Sequence, residues 1–187
     1  MNSCEVNVYK DKIFTIPNIL SFFRLLLIPL IVWLYIGKDD YFSTLIILLI
    51  SSATDIVDGF IARKFKMISN FGKALDPIAD KLTQIALLIC LVSRFRYMFV
   101  PLALLIVKEF ASGIACLVSI KKTKKVESAA WHGKLTTVTI YCVIAIHLIW
   151  YNISEAISLV LIGVCIGIMI MSFIMYLTRN IRNIKNK

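Results

Sequence analysis

The chain has 187 residues, 59% of them hydrophobic, and a mean hydropathy of +0.85. Soluble domains contain about 45–50% apolar residues, so this composition excludes an ordinary soluble protein and indicates an integral membrane protein. The formal charge of +10 does not predict nucleic-acid binding, because the basic residues lie at the ends of apolar runs. Membrane topology and contact with anionic lipid explain the charge better.

The apolar runs predict an all-α protein with six transmembrane helices. A spanning helix needs about 20 residues, so six spans with short connections fill the chain as one membrane domain over 1–187. Residues 1–16 lack the features of a secretory signal and could form a short interfacial helix. The predicted spans are 17–36, 41–64, 73–93, 97–120, 131–151 and 154–178.

The distribution of lysine and arginine predicts the orientation in the cell membrane. Both termini and the connection after the second span are expected on the cytoplasmic side, because most cations fall there. The cytoplasmic set is Lys10, Lys12, Arg63, Lys64, Lys66, Lys73, Lys121, Lys122, Lys124, Lys125, Arg179, Arg182, Lys185 and Lys187, and the opposite set is Lys38, Arg94 and Arg96.

Four aspartates, Asp55, Asp58, Asp76 and Asp80, lie within 26 residues of this apolar chain. Spacings of three and four place each pair on one helix face, and a turn at about 65–72 joins the two helices as an antiparallel hairpin. The four carboxylates can therefore converge near the cytoplasmic surface. One carboxylate at a bilayer centre costs about 3 kcal/mol, so the cluster predicts a compensating positive charge.

Divalent metal is the compensating charge that this donor set favours. Oxygen ligands without a neighbouring histidine or cysteine favour Mg²⁺ or Mn²⁺ over zinc. Four carboxylates suit two metal ions better than one, and such a pair can clamp a diphosphate and stabilise a leaving phosphate. An aspartate only partly committed to metal could also take a proton from an attacking hydroxyl.

The residues around the aspartates suit a bulky phosphate ligand. Gly59 and Gly72 offer positions without a side chain, where a substrate could approach the backbone. Ala62 keeps the face next to Gly59 small, and Arg63 supplies a planar cation that matches phosphate.

The segment that begins at Asp55 reads Asp-x-x-Asp-Gly-x-x-Ala-Arg, then eight residues, then Gly-x-x-x-Asp-x-x-x-Asp. At every position it resembles the signature of the CDP-alcohol phosphatidyltransferase family. The resemblance implies that Asp55, Asp58 and Asp76 hold two divalent metal ions with help from Asp80. It also implies that Asp80 is the base that activates the acceptor hydroxyl.

The same resemblance implies the substrates and the assembly. CDP-diacylglycerol would be the donor, CMP the leaving group, and the enzyme a homodimer among membrane lipids, with no nucleic-acid partner. Gly163 and Gly167 form a small-x-x-x-small pair that could serve a helix contact. The CDP site would be lined by Gly59, Ala62, Arg63 and Gly72.

Glycerol 3-phosphate is the preferred acceptor, phosphatidylglycerol is the alternative, and inositol phosphate and serine are less favoured. The segment from Ile16 to Arg24 resembles the opening of bacterial phosphatidylglycerophosphate synthases, which use glycerol 3-phosphate, and of the related cardiolipin synthases, which use phosphatidylglycerol. Those synthases usually carry Arg-Glu and a further arginine in the fourth span, whereas this chain has Lys108-Glu109 and no second arginine. The cations that could bind an acceptor are Lys134, Lys108 and Arg24.

An interpretation from a different functional class uses the same aspartates. A divalent-cation transporter could use the aspartates as a transit site, but residues 45–50 and 85–90, in the outer halves of spans two and three, are apolar.

His147 lies deep in the fifth span and is interpreted as a structural histidine, whereas His132 is a candidate for the acceptor pocket. The five cysteines have no spacing typical of a metal or disulfide framework.

Overall fold

The computed structural model describes residues 16–64, 70–123 and 131–185. In these ranges the chain forms six α-helices and no strand, which confirms the all-α prediction. A π-helical turn, Trp33–Gly37, follows the first helix, and a 3-10 turn, Arg96–Met98, precedes the fourth. The helices are α1 (Ile16–Val32), α2 (Tyr41–Lys64), α3 (Asn70–Arg94), α4 (Phe99–Thr123), α5 (Trp131–Ile149) and α6 (Glu155–Lys185).

Apart from α2, each helix differs from its predicted bounds at one end or both, most clearly at three places. The observed bounds of α2 are the predicted ones. Helix α3 begins at Asn70, before the predicted residue 73, so the turn predicted at 65–72 extends too far along the chain. The first span ends in the π-helical turn. The last helix continues to Lys185, past the predicted end at 178. The predicted interfacial helix at 1–16 lies, except for its last residue, outside the described residues.

Three helical stretches of the described chain are long and apolar enough to cross a membrane, namely Asn18–Gly37, Arg96–Ile114 and Glu155–Tyr176. Shorter apolar stretches are Tyr41–Val57 in α2 and Gly133–Ile149 in α5. The described helix α3 belongs to neither group, because its first half carries charged residues, including Asp76 and Asp80.

The chain divides into two compact units, Met1–Thr83 and Gln84–Lys187. In the described part of the first unit, α1 packs against α2 and the π-helical turn, and Ile31, Tyr35 and Leu48 are buried. In the second unit, α6 packs against both α4 and α5, around buried residues that include Leu105 and Met169. The expected single domain over 1–187 stays a prediction.

Candidate active site

The buried face of α1 carries polar residues in a helix that is otherwise apolar. Asn18, Ser21 and Arg24 follow one another at intervals of three, so they share one side of the helix. All three are at most 5% exposed. Polar groups are costly inside an apolar helix unless they have partners, so this face is expected to meet polar groups on other helices.

Ser21 meets the first carboxylate of α3. Its hydroxyl donates a hydrogen bond to Oδ1 of Asp76, 55 residues further along the chain. Ser21 is fully buried, whereas Asp76 is partly exposed. Within the first unit, this bond joins the N-terminal half of α1 to the charged half of α3.

Arg24 meets the first carboxylate of α2. Its Nη2 lies 2.6 Å from Oδ1 of Asp55, and the two side chains are 2% and 48% exposed. The cation is therefore the buried partner, and the carboxylate keeps access to solvent or ligand. Burying a guanidinium requires a counter-charge, which Asp55 supplies.

Asp80 lies one turn after Asp76 on the same face of α3 and is also partly exposed. Ala79, between the two aspartates, and Thr83, after them, are both buried. The Thr83 hydroxyl donates a hydrogen bond to the Ala79 carbonyl oxygen at 2.9 Å. The two aspartates of α3 thus lie at the accessible edge of a helix whose adjacent face is buried.

The remaining motif positions lie on the same two helices. Asp58, Gly59, Ala62 and Arg63 belong to α2, and Gly72 belongs to α3. The predictions for their side chains lie outside the described residues.

The described residues fit a hard divalent cation by their donor chemistry. Asp55, Asp76 and Asp80 all offer carboxylate oxygens, the ligands that Mg²⁺ and Mn²⁺ prefer. Among the described side chains, no three carboxylate, histidine or cysteine groups lie close enough together to hold one ion. A site that includes Asp58 lies partly outside these residues.

The three candidate cations for the acceptor have different surroundings. Lys108 on α4 is buried at 8% exposure, and Lys134, near the start of α5, is exposed. The structure pairs Arg24 with Asp55, a residue of the aspartate motif. Binding of an acceptor by any of the three stays a prediction.

His147 has the structural role expected of it. Nδ1 lies 2.8 Å from the Val143 carbonyl oxygen, and Nε2 lies 2.9 Å from Oγ of Ser158. Since a carbonyl only accepts, Nδ1 carries the proton and Nε2 accepts from the serine hydroxyl. The Phe95 ring packs edge to face against the imidazole, with 4.8 Å between the two ring centroids. The imidazole is 1% exposed and its two nitrogens are satisfied.

Sequence reasoning did not identify Ser21. A serine in an apolar helix commonly bonds its own backbone, so its residue type gave no reason to select it. The available signal was the spacing of three that places Ser21 between Asn18 and Arg24 on one face.

Comparison with known proteins gives consistent matches. A family model described as CDP-alcohol phosphatidyltransferase matches residues 14–178. A CDP-diacylglycerol–glycerol-3-phosphate 3-phosphatidyltransferase of Haemophilus influenzae is 31% identical over 173 residues, which are 88% of this chain and 92% of that protein.

Other relatives match over a shorter region. A protein of the same name from Rickettsia typhi is 35% identical over 97 residues, 51% of this chain and 54% of that protein. A cardiolipin synthase (CMP-forming) of Streptomyces coelicolor is 39% identical over 95 residues, 48% of this chain and 44% of that protein. The chain thus spans about half the length of these two relatives.

Proposed function

We propose that this chain, which belongs to the CDP-alcohol phosphatidyltransferase family, transfers the phosphatidyl group of CDP-diacylglycerol to an acceptor hydroxyl and releases CMP. The observation that carries the proposal is the intact 26-residue aspartate motif inside the matched region 14–178. The pairing of Asp55 and Asp76 with the buried polar face of α1 supports it, because a precise chemical site needs fixed carboxylates.

The reaction assigns separate tasks to the motif residues. Asp80 takes the proton of the acceptor hydroxyl, and the acceptor oxygen forms a bond to the β-phosphorus of CDP-diacylglycerol while the bond between that phosphorus and the CMP oxygen breaks. Two Mg²⁺ or Mn²⁺ ions held by Asp55, Asp58, Asp76 and Asp80 would stabilise the charge of the diphosphate.

The CDP moiety would be bound by the small and basic positions of the motif. Arg63 would pair with phosphate oxygens through its planar guanidinium. The nucleotide would lie against the chain where side chains are absent or small, at Gly59, Ala62 and Gly72.

The proposed location of the site is the cytoplasmic face of the cell membrane. The excess of lysine and arginine in the connections on one side supports this orientation, with both termini cytoplasmic. CDP-diacylglycerol would enter laterally, with its acyl chains in lipid and its diphosphate at the aspartates.

Glycerol 3-phosphate is the preferred acceptor, which gives phosphatidylglycerophosphate as the product. The match to the Haemophilus influenzae protein supports this choice, because it covers most of both chains. Phosphatidylglycerol, which would give cardiolipin, is the alternative, and the shorter match to the Streptomyces coelicolor protein favours it. Lys134, Lys108 and Arg24 are the proposed cations for an acceptor phosphate.

An acceptor screen tests this proposal. The purified chain is incubated with CDP-diacylglycerol, Mn²⁺ and either glycerol 3-phosphate or phosphatidylglycerol, and both CMP and the lipid product are measured. We expect CMP release and phosphatidylglycerophosphate only with glycerol 3-phosphate. Cardiolipin would identify the alternative acceptor, and no product with either would contradict the proposed reaction. Uptake of Mn²⁺ into proteoliposomes without lipid chemistry would support the cation transporter.

We also propose that the enzyme is a homodimer. Gly163 and Gly167 are exposed on α6, and no described neighbour lies within 4 Å of the point where a Cβ would stand at either position. A second helix could therefore approach this face closely.

A further inference from the structure

Several hydroxyl groups in the described apolar helices bond their own backbone. Such a bond to the carbonyl one turn earlier satisfies a hydroxyl without help from another helix. Six described threonines make it at distances of 2.7 to 3.3 Å: Thr44, Thr54, Thr83, Thr137, Thr139 and Thr178. A hydroxyl that donates to a carboxylate on a different helix makes a contact that reaches beyond its own helix.

Ser21 is such a hydroxyl. Its Oγ donates to Oδ1 of Asp76 on α3, and the serine is fully buried in the packing of α1. Packing fixes the position of Oγ, so the bond restrains the rotation of the partly exposed carboxylate. A carboxylate has about four acceptor sites on two oxygens, and one hydroxyl proton uses one of them. Asp76 keeps acceptor capacity for a cation while its orientation is restrained.

We propose that Ser21 is a positioning residue for Asp76, which it holds in the orientation that binds a divalent cation. This inference rests on the proposed function, because Asp76 is one of the aspartates assigned to metal there. Ser21 acts through Asp76 and is not assigned a contact with substrate. Partners that orient a metal ligand typically change metal affinity about 10–100-fold when they are removed.

Three variants of the full chain separate positioning from general stability. Ser21→Ala removes the hydroxyl, and Ser21→Thr restores a hydroxyl at the same atom. Ser93→Ala is the control for loss of a serine hydroxyl, because the Ser93 hydroxyl donates within its own helix, 2.6 Å from the Cys90 carbonyl oxygen. Mn²⁺ binding to each purified protein with CDP present is measured from the spin-resonance signal of free Mn²⁺.

We expect Ser21→Ala to raise the Kd for Mn²⁺ about 10–100-fold, while Ser21→Thr and Ser93→Ala remain close to the wild-type value. In CMP-release assays, the Mn²⁺ concentration at half-maximal rate should rise by the same factor in Ser21→Ala. The rate at saturating Mn²⁺ should be retained, because the reacting groups are unchanged.

Asp76→Asn distinguishes failure of this inference from failure of the proposed function. If Asp76→Asn weakens Mn²⁺ binding and Ser21→Ala does not, the positioning role is wrong and the metal assignment stands. If Ser21→Thr binds as poorly as Ser21→Ala, packing and not the hydroxyl is responsible, and the inference is also wrong. If Asp76→Asn binds Mn²⁺ as well as wild type, both the positioning role and the assignment of Asp76 to metal are overturned.

Discussion

Among the described residues, a buried polar cluster joins helices in each of the two compact units. In the first unit, Ser21 and Arg24 on α1 bond Asp76 and Asp55. In the second unit, His147 on α5 bonds Ser158 on α6. The donors of both clusters are buried. In the first cluster the acceptors are charged carboxylates, and the Asp55 side chain is 48% exposed. In the second cluster both His147 and Ser158 are buried.

The difference supports the proposed site in the first unit and distinguishes it from a structural contact. The imidazole of His147 has both nitrogens satisfied within the protein, so it offers nothing to a ligand. The carboxylates are held on one side by α1 and remain accessible on the other, which is the arrangement a ligand site requires. Burial of polar groups is common to both clusters, and accessible charge distinguishes the first.

Removing divalent metal should have the largest effect and should act only through the first cluster. Excess EDTA is expected to lower CMP release at least about 100-fold, because metal ions contribute several kcal/mol of charge stabilisation in such reactions. Added Mn²⁺ should restore the rate. Full activity in EDTA would contradict the metal assignment.

The ion pair of the first cluster should respond asymmetrically to mutation. Asp55→Asn removes the counter-charge of a buried guanidinium and is expected to destabilise the protein by about 1–3 kcal/mol. Arg24→Gln leaves a half-exposed carboxylate that water can solvate, so its cost should be smaller. Thermal unfolding in detergent measures both variants.

Asp39→Asn is the control for this pair, because Asp39 is exposed in the connection before α2. Its φ of 51° suits asparagine as well as aspartate. We expect no change in unfolding temperature for this variant. If Arg24→Gln destabilised the protein more than Asp55→Asn did, the carboxylate and not the guanidinium would be the group that depends on the ion pair.

The second cluster should affect stability without affecting chemistry. His147→Phe removes the hydrogen bond to Ser158 and is expected to cost about 1 kcal/mol. Ser158→Ala should cost a similar amount, and the double variant less than the sum, because both changes remove one interaction. CMP release per folded molecule should equal that of wild type, and a selective loss of activity would make His147 part of the site.

The smallest effect is expected at the start of α2, where the backbone N–H of Ser43 donates to Oδ1 of Asp40 at 3.0 Å. Hydrogen bonds from the side chain and the backbone of Ser43 hold the pKa of Asp40 below its usual value. A depressed pKa stabilises the fold above the unfolded-state pKa of about 3.9, and this contribution disappears as the pH falls through the lower folded value.

Asp40→Asn should keep the cap while removing that pH dependence, and Asp40→Ala should lose both. Unfolding temperatures of the three proteins between neutral and acid pH measure the effect. Identical pH profiles for wild type and Asp40→Asn would mean that the charge of Asp40 makes no contribution.

The sequence predicted the features that depend on composition and local spacing. Six helices, the bounds of α2 and the aspartate motif all follow from apolar runs and from intervals of three and four. The end of α6 was not predicted correctly. The loss of apolar residues after Tyr176 marks the expected end of a membrane span, whereas the helix itself continues. Backbone hydrogen bonding continues through polar residues to Lys185 when neither glycine nor proline interrupts it.

The contacts of α1 depend on packing between distant segments. Acceptor binding by Arg24 stays a prediction. The structure pairs Arg24 with Asp55, because a buried guanidinium takes the carboxylate that the neighbouring helix presents. Ser21 and Asp76 are 55 residues apart, and no local pattern relates them. Such pairs become visible only when the helices are placed together.

The most direct test of the carboxylate cluster as the reaction site is CMP release by Asp80→Asn, with glycerol 3-phosphate and saturating Mn²⁺. The amide keeps the shape of the side chain but cannot take a proton at neutral pH. We predict a rate about 10²–10⁴-fold below wild type, at an unchanged unfolding temperature. A folded Asp80→Asn protein that releases CMP at a rate close to wild type would contradict the account.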